Sequence, residues 1–110
     1  MLNQVVLVGR LVRDIEVHKT DKNKNITTVT LAIPRSFKNA NGEYDTDFID
    51  CILWDSTAVT TGEYCHKGDI IGVKGRLQSR VIEKDKEKKY LTEIVAEKVT
   101  FLSSRSKEEE

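Results

Sequence analysis

The sequence predicts an all-β domain: five strands closed into a barrel, with one short helix between the third and fourth strands. Three observations carry this. Apolar residues recur with period two in five separate runs, not with the helical period of 3.6. Polar or turn-forming stretches separate the runs, and one segment alone, residues 55 to 68, has a helix's start and stop signals. The 110 residues suit one domain with a modest core, and closure removes the edges that a five-stranded open sheet would leave.

The first run, "NQVVLVGRLVRD", places Val5, Leu7, Gly9 and Leu11 on one face and Val6, Val8 and Val12 on the other. A strand apolar on both faces is covered on both, so its second side meets another layer or another subunit. Gly9 within it predicts a bulge or a sharp bend. "HKTDKNKN" reads as a polar loop. "ITTVTLAIP" then alternates, with Val29, Leu31 and Ile33 inward and Thr28, Thr30 and Ala32 outward. "RSFKNANGEYDTD" is turn-rich, with Asn41-Gly42 at its tip.

In "TDFIDCILW", Ile49, Cys51 and Leu53 mark a core face. The helix, "DSTAVTTGEYCHKG", opens on Asp55 or Ser56 as its cap and stops at Gly68. Its threonines and glycine make it a weak helix former, so packing must hold it. Two strands remain, "DIIGVKGRLQSRVI" and "YLTEIVAEKVTFL", joined by the charged tip "EKDKEKK". The domain is expected to span residues 1–102, with residues 103–110 a disordered acidic end. This order of elements is that of the oligonucleotide/oligosaccharide-binding (OB) fold. The fold leaves the ligand open, so function must come from the surface.

No apolar run approaches the length of a membrane span, and the N-terminus lacks a signal-peptide layout. The chain reads as soluble and cytoplasmic, with no membrane partner. Cys51 and Cys65 read as buried thiols rather than a disulfide or a metal site. The net charge is zero, yet leaving out Glu108, Glu109 and Glu110 sets 18 basic residues against 15 acidic ones. That mild basic excess does not by itself indicate nucleic acid; placement matters more than the sum.

Placement is informative in "VKGRLQSR", where Lys74, Arg76, Gln78 and Arg80 share one face at a repeat of about 6.6 Å. That rhythm can follow the phosphates of an extended single strand. Taken alone, the segment is better read as an ordinary solvated face. The aromatics shift the balance. Phe48 and Trp54 share the second face of their strand with Asp50 and Ile52, and Phe37 lies in the turn-rich approach to it. A dry second core layer would leave Asp50 unpaired. A wet platform on which bases stack fits the set better.

On these residues the chain resembles the bacterial and phage single-stranded DNA-binding protein family. The resemblance rests on "MLNQVVLVGRLVRDIEV", "FIDCILW", "YCHKGDIIGVKGRLQSR" and "LTEIVAEKVTFL", and covers roughly residues 1 to 102. It implies an OB barrel that assembles as a homotetramer through its first strand, with Val6 and Val8 at the interface. It implies sequence-independent binding of single-stranded DNA in replication, recombination or repair, with no catalytic residue, metal or cofactor. The family's stacking positions fall on Phe37, Phe48 and Trp54. Its groove cations fall on Arg10, Arg35, Lys67, Lys74, Arg76 and Arg80.

Three departures stand out. Ile82 occupies a place where many relatives carry an aromatic. Asp50 and Ser56 stand where relatives often carry polar or basic residues. The chain ends in "SSRSKEEE" rather than a long linker and an acidic Pro-Phe tip that recruits replication proteins. That ending suits a short phage or accessory member, or equally a chain cut before the tail; replication and repair partners stay open.

Two rivals remain. The clustered Asp45, Asp47, Asp50 and Asp55 could hold magnesium for nuclease chemistry. Alternation places Asp47 and Asp50 on opposite faces, however, and His18 and His66 stand apart from them. A dimeric primosomal-type barrel, serving mainly as an assembly platform, is the second; mass in solution separates it from a tetramer. Oligosaccharide or transfer-RNA binding has the fold alone in its favour.

Overall fold

The period-two runs form strands where their inward residues can meet in one core. A computed structural model describes residues 1–104, with β1 (Val5–Leu11), β2 (His18–Lys19), β3 (Asn25–Lys38), β4 (Tyr44–Trp54), α1 (Asp55–Tyr64), β5 (Ile70–Lys84) and β6 (Glu87–Ser103). The strands form one sheet in the order β1-β5-β6-β4-β3-β2. Pairing of Arg10 with Ala32 and of Leu11 with Leu31 joins β1 to β3 and closes the barrel. The OB architecture is therefore as expected, with the helix between the third and fourth of the long strands. Leu31, Cys51, Leu53 and Ile71 are fully buried at its centre. No helix among the described residues is long and apolar enough to cross a membrane.

Several local expectations are corrected. The loop "HKTDKNKN" contains the two-residue β2, which pairs with Ile26 and Asn25 of β3. β3 does not end at Pro34 but continues to Lys38, and the register with β4 shifts between Pro34 and Lys38. Phe37 therefore sits on a strand, not in a turn. Gly42 does occupy the hairpin tip, with φ of 78°. At the other end β6 runs to Ser103, one residue past the expected boundary. Residues 105–110, most of the expected disordered acidic end, lie outside the described residues.

Gly9 produces no bulge, since the β1–β5 register runs unbroken from Val5 to Arg10. It is there for closeness. A Cβ at Gly9 would lie 2.8 Å from Ile33 Cγ1 and 3.0 Å from the Ala32 carbonyl oxygen. β1 changes partner from β5 to β3 at this point, and a side chain would hold the barrel open.

α1 also differs at both ends. Its N-cap is Trp54, without a capping side-chain hydrogen bond, and it ends at Tyr64 rather than near Gly68. Extended Cys65 is buried, and its N–H donates to the Thr61 carbonyl at 2.9 Å, closing the last turn. Gly68, with φ of 93°, instead turns the chain into β5, and its N–H donates to the Leu11 carbonyl at 2.9 Å. Both cysteines are free and buried as expected. Burial pushes the Cys51 thiol up to about 11, helped by Asp50, and raises that of Cys65. Neither thiol forms a thiolate readily at neutral pH.

Candidate nucleic-acid interface

Strand alternation on β4 sends Cys51 and Leu53 into the core and Tyr44, Thr46, Phe48, Asp50, Ile52 and Trp54 outward. The structure thus brings Phe48 and Trp54 onto one outer face, 66% and 37% exposed. Tyr44 joins them, 57% exposed, with Lys38 Nζ 5.9 Å from its ring centroid. Sequence reasoning passed over Tyr44, although it keeps the parity of Phe48 and Trp54. Phe37 is 63% exposed, but Lys38 pairs with Tyr44, so alternation turns Phe37 to the opposite face of this hairpin.

Asp50 is not left unpaired on this face. It accepts a hydrogen bond of 2.5 Å from the Thr30 hydroxyl, which itself accepts from Arg13 Nη2 at 2.6 Å. Thr30, expected to point outward, is consequently 7% exposed. A dry surface would therefore not orphan Asp50. The exposure of Phe48 and Trp54 remains the reason to regard the face as open.

The outer face continues across the sheet. Thr28 of β3 pairs with Ile52, Ile52 with Val95 of β6, and Val95 with Arg76 of β5. Paired residues share a face, so Arg76 stands two strand spacings, about 10 Å, from Ile52. Lys74, Gln78, Arg80 and Ile82 follow the same parity, as the sequence implied. Lys74 is exposed. Arg76 is half-buried and donates to Gln78 Oε1 at 2.9 Å. Arg80 is engaged by Glu93, Nε to Oε1 at 2.5 Å. Ile82 is half-buried opposite Lys89 on the β5–β6 hairpin.

The other three cations are more scattered. Arg10 pairs with Ala32, and Ala32 with Phe48, so Arg10 flanks the aromatic face. Its Nη1 donates to the Gly68 carbonyl at 2.8 Å, which also gives it a structural task. Arg35 is clasped by Asp47 and lies 3.7 Å from Asp45. Lys67 is exposed on the loop after α1, where its backbone N–H donates to Asp14 Oδ1 at 2.9 Å. Arg35 and Arg80 thus carry carboxylate partners that sequence reasoning missed. No local pattern signals pairs 12 and 13 residues apart.

The aspartate cluster is dispersed by the same contacts. Asp45 and Asp47 attend Arg35, while Asp50 attends Thr30 on the opposite face. Among the described residues no group of three or more His, Cys, Asp or Glu side chains is placed to hold a metal ion.

Val6 and Val8 project from β1 with 68% and 52% of their surfaces exposed. Val6 pairs directly with Lys74 and Val8 with Gly72. Leu102, 49% exposed, would lie 3.6 Å from a Cβ at Gly72, which extends the apolar patch across β5.

Comparison with known proteins bears on what this surface is. The chain is 44% identical to "Single-stranded DNA-binding protein B" of Bacillus subtilis, over 98% of this chain and 96% of that one. It is 46% identical to "Single-stranded DNA-binding protein 1" of Lactococcus lactis, over 94% of this chain and 70% of that one. A crystal structure of a deletion mutant of the single-stranded DNA binding protein from Thermus aquaticus superposes with a TM-score of 0.78 at 32% identity. That superposition covers 94% of this chain, which spans only 52% of the Thermus chain. Residues 2–102 match the sequence profile of the Single-strand binding protein family, a stretch that takes in the barrel, the aromatic face of β4 and the basic run of β5. The chain belongs to that family.

Proposed function

We propose that this chain binds single-stranded DNA without regard to sequence, with bases stacked on the outer face of β4 and phosphates held by cations around it. The observation that carries the proposal is the pair Phe48 and Trp54, exposed on one sheet face whose register continues through half-buried Ile52 and buried Val95 to Arg76. Each base stacked on an aromatic contributes roughly 1–3 kcal/mol whatever its identity. Phe48 and Trp54 are six residues apart on one strand, about 20 Å, so neighbouring bases lie across the polar stretch at Asp50.

The cations divide by availability. Lys74, Arg76 and Lys67 meet phosphate directly, and Arg10, which already has partners within the fold, reaches it from beside Phe48. Arg35 and Arg80 meet it by exchanging a carboxylate for a phosphate. Phe37 is reached by a strand that wraps around the edge of the β3–β4 hairpin. The names of the relatives support this reading, as does the family match.

The binding unit is the barrel, residues 1–102 extended to Ser103. It acts as a homotetramer built on the exposed Val6–Val8 face, in the cytoplasm, in replication, recombination or repair. The test is anisotropy of a labelled oligo-dT titrated with protein, in the presence of unlabelled single-stranded or duplex competitor. Single strands of mixed sequence should displace the label and duplex should not. Equal displacement by both would reject the proposal.

A further inference from the structure

Beside Trp54 lies a cleft that the path along the outer face of β4 does not enter. It has a volume of about 510 Å³ and is lined by Thr20, Asp21, Lys22, Lys24, Trp54 and Asp55. That size is within the range of small-molecule sites. We propose that it is a nucleotide subsite, in which Trp54 is the wall for one base and Lys22 and Lys24, on the β2–β3 turn, hold the flanking phosphates. The inference rests on the single-strand reading above and extends the strand's path off the β4 face onto this turn.

Register places the two sides together. Trp54 pairs with Ile26 of β3, and Ile26 with His18 of β2, so the turn joining β2 to β3 stands against the end of β4. The turn itself is held by its own hydrogen bonds. Asn23 N–H donates to the Thr20 carbonyl at 2.8 Å, Thr20 N–H to the Lys24 carbonyl at 2.8 Å, and Lys24 N–H to the Thr20 hydroxyl at 3.2 Å. Asn23 supplies the left-handed residue such a turn needs, with φ of 62°. The lysine stems therefore leave from a fixed rim.

The opposite rim is also fixed. Asp55 has φ of 49°, and this left-handed step breaks β4 into α1 immediately after Trp54. The indole is partly shielded, 37% exposed against 66% for Phe48. A half-shielded ring under a cationic rim suits one base resting against it.

The charges in the cleft sort a nucleotide by its parts. Unlike Arg35 and Arg80, Lys22 and Lys24 have no carboxylate within ion-pair distance among the described residues. They can take phosphate without giving up a partner. Asp21 and Asp55 repel phosphate but accept hydrogen bonds from base N–H groups, the ring N–H of thymine included. The arrangement thus keeps the phosphates at the lysine rim and the base inside.

The test compares Lys22→Ala, Lys24→Ala and the double variant with wild type in a salt series against one oligo-dT. Lys19→Ala serves as a neighbouring control, because Lys19 is exposed on β2 outside the cleft lining. Each single variant should flatten the slope of log K against log salt by about 0.7 per protomer engaged, and the double variant by about twice that. Lys19→Ala should leave the slope unchanged. Wild-type binding with cleft variants indistinguishable from Lys19→Ala would overturn the subsite alone. No binding by the wild type would overturn the single-strand reading and the subsite with it.

Discussion

Arg35 clasps Asp47 with two nitrogens, Nη2 at 2.9 Å from Oδ1 and Nε at 3.1 Å from Oδ2. The hydrogen bond from Arg35 draws the Asp47 carboxyl below its usual range, against partial desolvation, and the same bond raises Arg35. The pair's contribution to stability is present above the unfolded aspartate value, about 3.9. It is lost as pH falls through the lower, folded value. Carboxyl titration by NMR should find Asp47 with a depressed midpoint that returns to the ordinary range in Arg35→Ala. A midpoint that does not move in the variant would contradict the pairing.

The same clasp makes a statement about DNA. When phosphate takes Arg35, Asp47 is released and gathers a counterion, so little net counterion release follows. Asp47→Asn removes the competitor. Its salt slope against oligo-dT should steepen by about 0.7 per protomer engaged, the value for one phosphate neutralised on a single strand. An unchanged slope would mean that Arg35 does not reach phosphate.

Gly9 is a packing requirement, and its replacement should be felt in stability. In Gly9→Ala the new methyl meets Ile33 Cγ1 at 2.8 Å and the Ala32 carbonyl at 3.0 Å. The side chain can shift, but the backbone oxygen belongs to the strand that closes the barrel. Overpacking of this kind costs about 1–3 kcal/mol. Urea denaturation should show a lower midpoint with the same slope. A midpoint equal to wild type would show that β1 can move away from β3.

These examples mark where the sequence was legible. The period-two pattern of β4 correctly put Cys51 and Leu53 in the core and left Phe48 and Trp54 outside, because alternation is a local property of a strand. The Gly9 contact, the Thr30–Asp50 bond and the Arg35–Asp47 clasp depend on which strands lie side by side. A single run of residues does not encode that. Phe37 was misplaced for the same kind of reason: β3 continues past Pro34 to Lys38 within the stretch read as turn, its register with β4 shifting on the way. Tyr44 was legible by parity alone, but lay within a stretch read as turn.

Val6 and Lys74 face each other across β1 and β5, so the proposed subunit contact and the proposed groove share a border. Val6→Asp or Val8→Asp would bury an unpaired charge in the contact, at a cost of several kcal/mol. Light scattering should show wild type as a tetramer and the variants as dimers, monomers or insoluble protein. A soluble variant that keeps the wild-type mass would remove β1 from the interface.

Trp54 is the sole tryptophan in the chain, which makes its emission a direct report on the outer face of β4. The decisive measurement is fluorescence during titration with oligo-dT and, separately, with duplex of matched length at the same salt. Stacking of bases on the indole predicts strong quenching by oligo-dT that saturates, with little change on addition of duplex. Equal quenching by both, or saturable oligo-dT binding that leaves the emission untouched, would contradict the placement of single-stranded DNA on this face.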